Sequence, residues 1–237
     1  MLRTVISQIR SIFIVTILAL LGFVVVPCPL AIAQQAKADS SSPSASDAAA
    51  MLPAGKFVQD LSSRAMAAIS NKGLSQEQRT AQYRNILHDS FDMQTIGRFV
   101  IGRSWNAASP EQQQEYMKLF EALVTKMYGD RLNFYNGENF VVKSTRPESD
   151  QDFIVTSDIT HPDGSSPTTV DWRVREKNNK YAVIDVMIEG VSQSLTQRDE
   201  YSSIIQRDGG KLDGLLALMR QRLEQPSPAT SSASNEE

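Results

Sequence analysis

The 237-residue chain carries 24 Lys and Arg against 27 Asp and Glu, a formal charge of −3, with two histidines and a single cysteine. That balance argues against nucleic acid as a partner, because binding it needs a basic face, and against a lasting hold on an anionic membrane surface. One cysteine supplies neither an internal disulfide nor a thiolate metal set.

The chain opens with Arg3 and Arg10, and no acid precedes Asp39. The apolar run from Ile12 to Val26 is roughly 15 residues, short of the ~20 that span a bilayer. Pro27 and Pro29 break it, and Ala31-Ile32-Ala33 has the small-x-small pattern of a cleavage site. These features predict an export signal over residues 1–33, cut after Ala33, in preference to an uncleaved anchor. Cys28 lies inside it, behind Pro27 rather than the small residue a lipidated cysteine needs, so the mature chain is expected to contain no thiol. Losing two arginines and no acid takes the formal charge from −3 to −5.

Residues 34–52 are rich in Ala, Ser and Asp and aperiodic, and 226–237 read the same way; both are expected to be disordered. Residues 53–225 remain, a size normal for one domain. Phe57, Leu61, Met66 and Ile69 recur at helical spacing up to Asn71-Lys72-Gly73. Ser75 opens a second helix with Tyr83, Ile86 and Leu87 on one side, and a third runs from about Asp92 to Gly102. Ser109-Pro110-Glu111-Gln112 sets out an N-cap, a first-turn proline, an acid at the positive helix end and a capping-box glutamine. The fourth helix that follows carries Met117, Phe120, Leu123, Val124, Met127 and Tyr128 on a wide apolar face ending near Gly129.

The period then changes. Phe140 to Ser144, Phe153 to Thr160, Thr168 to Glu176 and Tyr181 to Glu189 are strand-like, with turns at Pro162-Asp163-Gly164 and Lys177-Asn178-Asn179-Lys180. Alternation puts Phe153, Val155 and Ile159 on one face, with Val170, Trp172 and Val174 and with Ala182, Ile184, Val186 and Ile188. Asp171, Arg173, Arg175 and Asp185 then form a solvated outer face with cross-strand pairs. Helices over about Thr196 to Arg207 and Leu212 to Leu223 close the chain. The order predicts an α+β fold, an antiparallel sheet of about four to five strands with helices packed on one face. Periodicity alone does not distinguish a filled core from a cleft between them.

Catalytic and metal-binding patterns are weak. His88 and His161 have no second ligand at helical or hairpin spacing, so no metal site is expected. Gly190-Val191-Ser192-Gln193-Ser194 lacks the closing glycine of a nucleophile elbow and a downstream histidine. No glycine-rich phosphate loop is present. Asp92, Arg98 and Arg103 lie on or near the third helix. They serve either helix-end electrostatics or, for an arginine, a phosphate at the mouth of a pocket.

Several segments together resemble one family. Phe91-Asp92-Met93-Gln94-Thr95-Ile96-Gly97-Arg98-Phe99-Val100-Ile101-Gly102-Arg103-Ser104-Trp105 is similar to the "FD…IARFVLGRYW" signature of the MlaC-type, toluene-tolerance family of periplasmic phospholipid carriers. Ser109-Pro110-Glu111-Gln112, Val170-Asp171-Trp172-Arg173-Val174-Arg175, Ile184-Asp185-Val186, Glu189-Gly190-Val191-Ser192 and Thr196-Gln197-Arg198-Asp199-Glu200-Tyr201 follow in order. Gly97 departs from the alanine of many members, at a small cost in helix propensity.

The resemblance implies a non-enzymatic periplasmic carrier, monomeric and without a membrane anchor or cofactor, that shuttles phospholipid and maintains outer-membrane lipid asymmetry. Its implied partners are an outer-membrane lipoprotein–porin complex and an inner-membrane ABC transporter with an MCE-type subunit. Its cargo's acyl chains would occupy an apolar cleft between sheet and helices. For that lining the candidates are Phe99, Phe120, Val124, Met127, Tyr128, Trp172, Val174, Ile184, Val186 and Ile188, with Arg98 and Arg103 for the head group. A hopanoid cargo on the same fold is one alternative, and an NTF2-like enzyme with a buried acid is another, disfavoured because alternation points Asp171 and Asp185 away from the apolar face.

Overall fold

A first-turn proline or a polar cap fixes where most of the helices begin. In the computed structural model, which describes residues 52–71, 73–131 and 137–225, α1 (Pro53–Ser70) starts on a first-turn proline and buries Ala54, Val58, Leu61 and Ala68. The export signal with Cys28, the leader up to residue 51 and the tail from 226 lie outside the described residues. Helix α2 (Gln76–Ser90) begins with a capping box: Ser75 Oγ accepts from Gln78 N at 3.2 Å and Gln78 Oε1 accepts from Ser75 N at 2.8 Å. Asp92 caps α3 (Met93–Ile101), accepting from Thr95 N at 2.9 Å and Thr95 Oγ1 at 2.6 Å, and Gly102 at φ 53° ends it.

A short turn of helix, α4 (Ser104–Ala107), has no counterpart in the sequence pattern. Helix α5 (Pro110–Arg131) starts on the predicted Ser109–Gln112 capping box, at 3.0 and 3.2 Å, and runs two residues past Gly129.

Five antiparallel strands follow as a meander in the order β1-β2-β3-β4-β5: β1 (Asn139–Pro147), β2 (Asp152–Thr160), β3 (Thr168–Lys177), β4 (Lys180–Ile188) and the two-residue β5 (Val191–Ser192). Asn178 and Asn179 both adopt positive φ, 53° and 58°, which makes the β3–β4 connection a primed turn whose twist suits the flanking strands. Ser192 then caps α6 (Gln193–Arg207), accepting from Leu195 N at 3.0 Å, and α7 (Asp213–Glu224) completes the chain.

Two bulges re-aim side chains. In β1, pairing passes from Val142↔Ser157 to Ser144↔Thr156 and leaves Lys143 extra. In β4, Trp172 faces Val186 and Arg173 faces Asp185, but Val174 faces Val183, so Ile184 is the inserted residue. The bulge reverses the expected alternation of this strand. Tyr181 and Val183 join Val186 and Ile188 on the inner face, while Ala182 and Ile184 move to the outer one. Ile184 was expected inside and is not there.

The outer face carries the expected cross-strand pairs. Thr156 Oγ1 donates to Asp171 at 2.5 Å, Arg173 grips Glu148 at 2.6 and 2.7 Å, and Arg175 grips Asp152 with two bonds of 2.7 Å. Asp185 departs from this pattern. Its carboxylate accepts from Ser192 Oγ at 2.6 Å and Ser194 N at 3.1 Å, tying β4 to the start of α6.

Burial divides into two clusters. One is helical and gathers Val100, Tyr116, Phe120, Tyr201, Leu215, Leu216 and Met219 among others. The second lies between α1 and the sheet, with Val58, Leu61, Ile86, Val155, Val174 and Val183 at its centre. Phe91 packs against both. Its backbone forms a parallel bridge with Val183, and Asp92 N donates to Val183 O at 3.0 Å, so the link between α2 and α3 is stitched to β4.

Candidate functional site

Where the two clusters meet, the packing leaves an apolar cavity of about 160 Å³. Helix α3 supplies Met93, Ile96 and Val100, and α5 supplies Phe120, Val124 and Met127. These are residues three and four apart, so each set shares one helix face. Phe91 and Val186 close the sheet side, and the start of α6 provides a polar wall of Gln193, Ser194, Thr196 and Gln197 beside Asp185.

Below the cavity, the buried Tyr116 hydroxyl donates to Gly97 O at 3.0 Å and locks α5 to α3. Burial pushes this phenol far above its ordinary value, so it acts as a permanent donor. Tyr201, in the same cluster, is pushed up to about 12, by burial first and then by the Glu200 charge.

Of the expected lining, Phe120, Val124, Met127 and Val186 reach this cavity. Trp172 and Val174 share the inner sheet face but belong to the filled cluster under α1. There the Trp172 Nε1 donates to the fully buried Ser157 Oγ at 2.9 Å, which in turn donates to Val170 O at 3.0 Å. Ile188 is half-buried at the end of β4, outside the lining, and Ile184 is on the opposite face. Phe99 is 42% exposed and lies beneath the Arg198 guanidinium, 4.9 Å from its ring centroid. The side chain of Tyr128 lies outside the described residues.

Neither expected head-group arginine stands at this cavity. Arg98 stacks over Trp105 at 4.8 Å and borders a separate groove with Gln94, Glu111 and Lys118. Arg103 is exposed just ahead of α4. The reason is helical geometry: Arg98 is two residues, about 200°, from both Ile96 and Val100, which face inward.

The sequence reading missed Phe91, Met93, Ile96 and Val100, although Met93, Ile96 and Val100 recur at helical spacing within the signature segment. It also missed the polar wall, which no pattern marks.

The arrangement can bind but is poorly equipped to react. Asp185, the acid nearest the cavity, already accepts from Ser192 Oγ, Ser194 N and its neighbour Val186 N at 2.9 Å. Among the described residues no group of three His, Cys, Asp or Glu side chains could hold a metal ion, and no helix is long and apolar enough to cross a membrane.

Fold and cavity therefore define a helix-on-sheet α+β protein with an apolar pocket at the seam between its layers. The chain belongs to the MlaC family: the model of that family, described as MlaC protein, matches residues 59–221. The intermembrane phospholipid transport system binding protein MlaC of Haemophilus influenzae is 26% identical over 146 residues, 60% of this chain and 67% of the relative. The toluene tolerance protein ttg2D of Pseudomonas putida is 24% identical over 106 residues, 45% of this chain and 49% of that one. Among solved structures, a phospholipid-binding protein from Ralstonia solanacearum, in complex with a phospholipid, shares the fold with a TM-score of 0.65 at 24% identity. That match covers 72% of this chain and 96% of the other.

Proposed function

We propose that this protein is a periplasmic phospholipid carrier that holds acyl chains at the seam between sheet and helices and shuttles its cargo between the outer and inner membranes. The observation that carries the reading is the apolar cavity between α3, α5 and Val186, in a chain of the MlaC family. Relatives described as phospholipid transport and phospholipid-binding proteins support the same cargo.

The physics of the cargo explains the need for a carrier. Burying a methylene contributes roughly 0.8 kcal/mol, so exposing two chains of about 15 carbons costs on the order of 20 kcal/mol. A free lipid crosses an aqueous gap too rarely to be useful. An apolar pocket brings capture and release close to balance, and docking on donor and acceptor complexes completes the exchange. Those partners are an outer-membrane lipoprotein–porin complex and an inner-membrane MCE-type ABC transporter. The polar wall of Gln193, Thr196 and Gln197 faces the head group in this reading, in place of Arg98 and Arg103. Export with cleavage after Ala33 leaves the carrier unanchored, and the engagement of Asp185 by three donors supports a binding rather than an enzymatic role.

Organic extraction of the protein purified from its native source, followed by mass spectrometry, tests the reading. Stoichiometric diacyl phospholipid is expected. Recovery of a hopanoid would overturn the cargo, and recovery of no lipid would overturn the carrier.

A further inference from the structure

The seam cavity is small for the task. At about 160 Å³ it matches an engineered protein cavity of ~150 Å³ that takes up benzene, six carbons rather than a full acyl chain. A second space lies on the other side of α5. This groove, of about 590 Å³, runs between α2 and α5 and is closed by Leu223 of α7. It falls within the ~300–1,000 Å³ range of ligand pockets.

Its apolar lining is Leu87, Met93, Ala122 and Leu223, with His88 and Glu121 among the polar side chains beside them. Arg84 and Lys118 border it, and such side chains lay apolar stems along a groove while their charged ends stay in water, whereas the Lys126 ammonium donates to Leu223 O at 3.1 Å and ties α5 to the end of α7. Helix α5 thus presents Phe120, Val124 and Met127 to the seam and Glu121, Ala122 and Thr125 to the groove.

One side chain is common to both spaces. Met93, 9% exposed at the start of α3, lines the seam cavity and the groove alike. Its side chain is flexible and unbranched, and methionine changes rotamer and fills irregular gaps readily.

Resting on the carrier reading above, we propose that seam and groove are one acyl-chain channel with Met93 as its movable partition. A long chain of the cargo enters at the seam, displaces the Met93 side chain and lays its distal carbons in the groove between α2 and α5. The ligand class is a long-chain diacyl lipid. The groove extends the apolar space severalfold, which a rigid residue at position 93 would prevent.

Ala122 is exposed and lines only the groove, so Ala122→Trp places both a plug and a reporter there with little effect on the core. The full chain and this variant are exchanged against phosphatidylcholine vesicles whose acyl chains are brominated near their ends. Bound lipid is counted by mass spectrometry and tryptophan emission is read against wild type. Two results support the channel. The variant loads lipid and its added emission is quenched, or it folds with an unchanged Tm and its lipid load falls at least about fivefold, while Ala67→Trp, exposed on α1, loads normally. A folded variant that loads as wild type without added quenching overturns the channel and leaves the carrier standing. Absence of lipid in wild type overturns the carrier itself. Asn85→Trp, on the facing wall of the groove, gives the same readout if Ala122→Trp does not fold.

Discussion

Val124→Phe puts the seam cavity to the test. A void in a protein core costs about 24 cal/mol per Å³, so a cavity of about 160 Å³ leaves at most ~4 kcal/mol of packing unrealised. Val124 is half-buried on α5, packs against the helical cluster and borders the cavity directly. Replacing the isopropyl group by a benzyl group adds four carbons, which fill roughly a third of the space and gain up to ~1 kcal/mol, and strain of overpacking of about 1 kcal/mol offsets this. The Tm of the delipidated protein therefore stays within about 2–4 °C of wild type, the shift that ~1 kcal/mol produces in a domain of this size. The same ring occupies the site proposed for the acyl chains, so lipid load is expected to fall while stability holds. Calorimetry of the delipidated protein reads the first effect and extraction with mass spectrometry the second. A Tm lowered by more than about 4 °C or an undiminished lipid load would refute the reasoning.

Other consequences can be checked on the same material. At Gly97, an added Cβ meets Met117 Sδ at 2.8 Å, Met117 Cε at 3.0 Å and the Phe120 ring at 3.3 Å. Met117 and Phe120 are both buried in the helical cluster, so the helix-propensity gain of Gly97→Ala, about 0.5–1 kcal/mol, is expected to be outweighed by overpacking of about 1–3 kcal/mol; a rise in the urea midpoint would contradict this. Ser157→Ala strips the Trp172 indole of its acceptor inside the sheet core and is expected to cost about 1–3 kcal/mol in urea unfolding. Hydrogen bonds from Arg173 and Arg175 hold the Glu148 and Asp152 carboxyls below their ordinary values. The unfolded chain therefore takes up their protons first as pH falls, and the stability they contribute is complete above the ordinary carboxylate range and lost as pH drops through the lowered values. The Tm gap between wild type and the Glu148→Gln, Asp152→Asn double variant should accordingly shrink from neutral pH toward about pH 2, and a gap that widens would reverse the sign.

The fold was legible because its signals are local. Capping residues at Ser75, Asp92 and Ser109 and the Asn178-Asn179 turn act within a few residues, and the structure uses each as the sequence suggests. The short helix Ser104–Ala107 and the two-residue β5 have no period to read. The bulge at Ile184 was hidden for a different reason. Tyr181 through Val183 and Val186 through Ile188 are apolar in both phases, so strict alternation fits the string although the strand changes phase within it. Trp172 and Val174 were rightly placed inside, but nothing in a strand pattern tells whether α1 or the seam lies above them. For Arg98 the information was present, since its angular distance from Ile96 and Val100 follows from the helix itself.

The extra residue in β1 has a consequence at the rim of the sheet. Strand β4 has its far side partly occupied, by β5 at Met187 and Ile188 and by the Phe91 backbone at Val183. The long unpaired border among the described strands is therefore β1. A continuous row of free backbone donors and acceptors there is an invitation for a strand from another chain. Lys143 interrupts the row with its bulge and places a charge on it, reaching Asp158 at 3.6 Å, and Pro147 ends it with a residue that has no N–H to give. A crowded compartment offers many stray strands, and this border is shaped to refuse them.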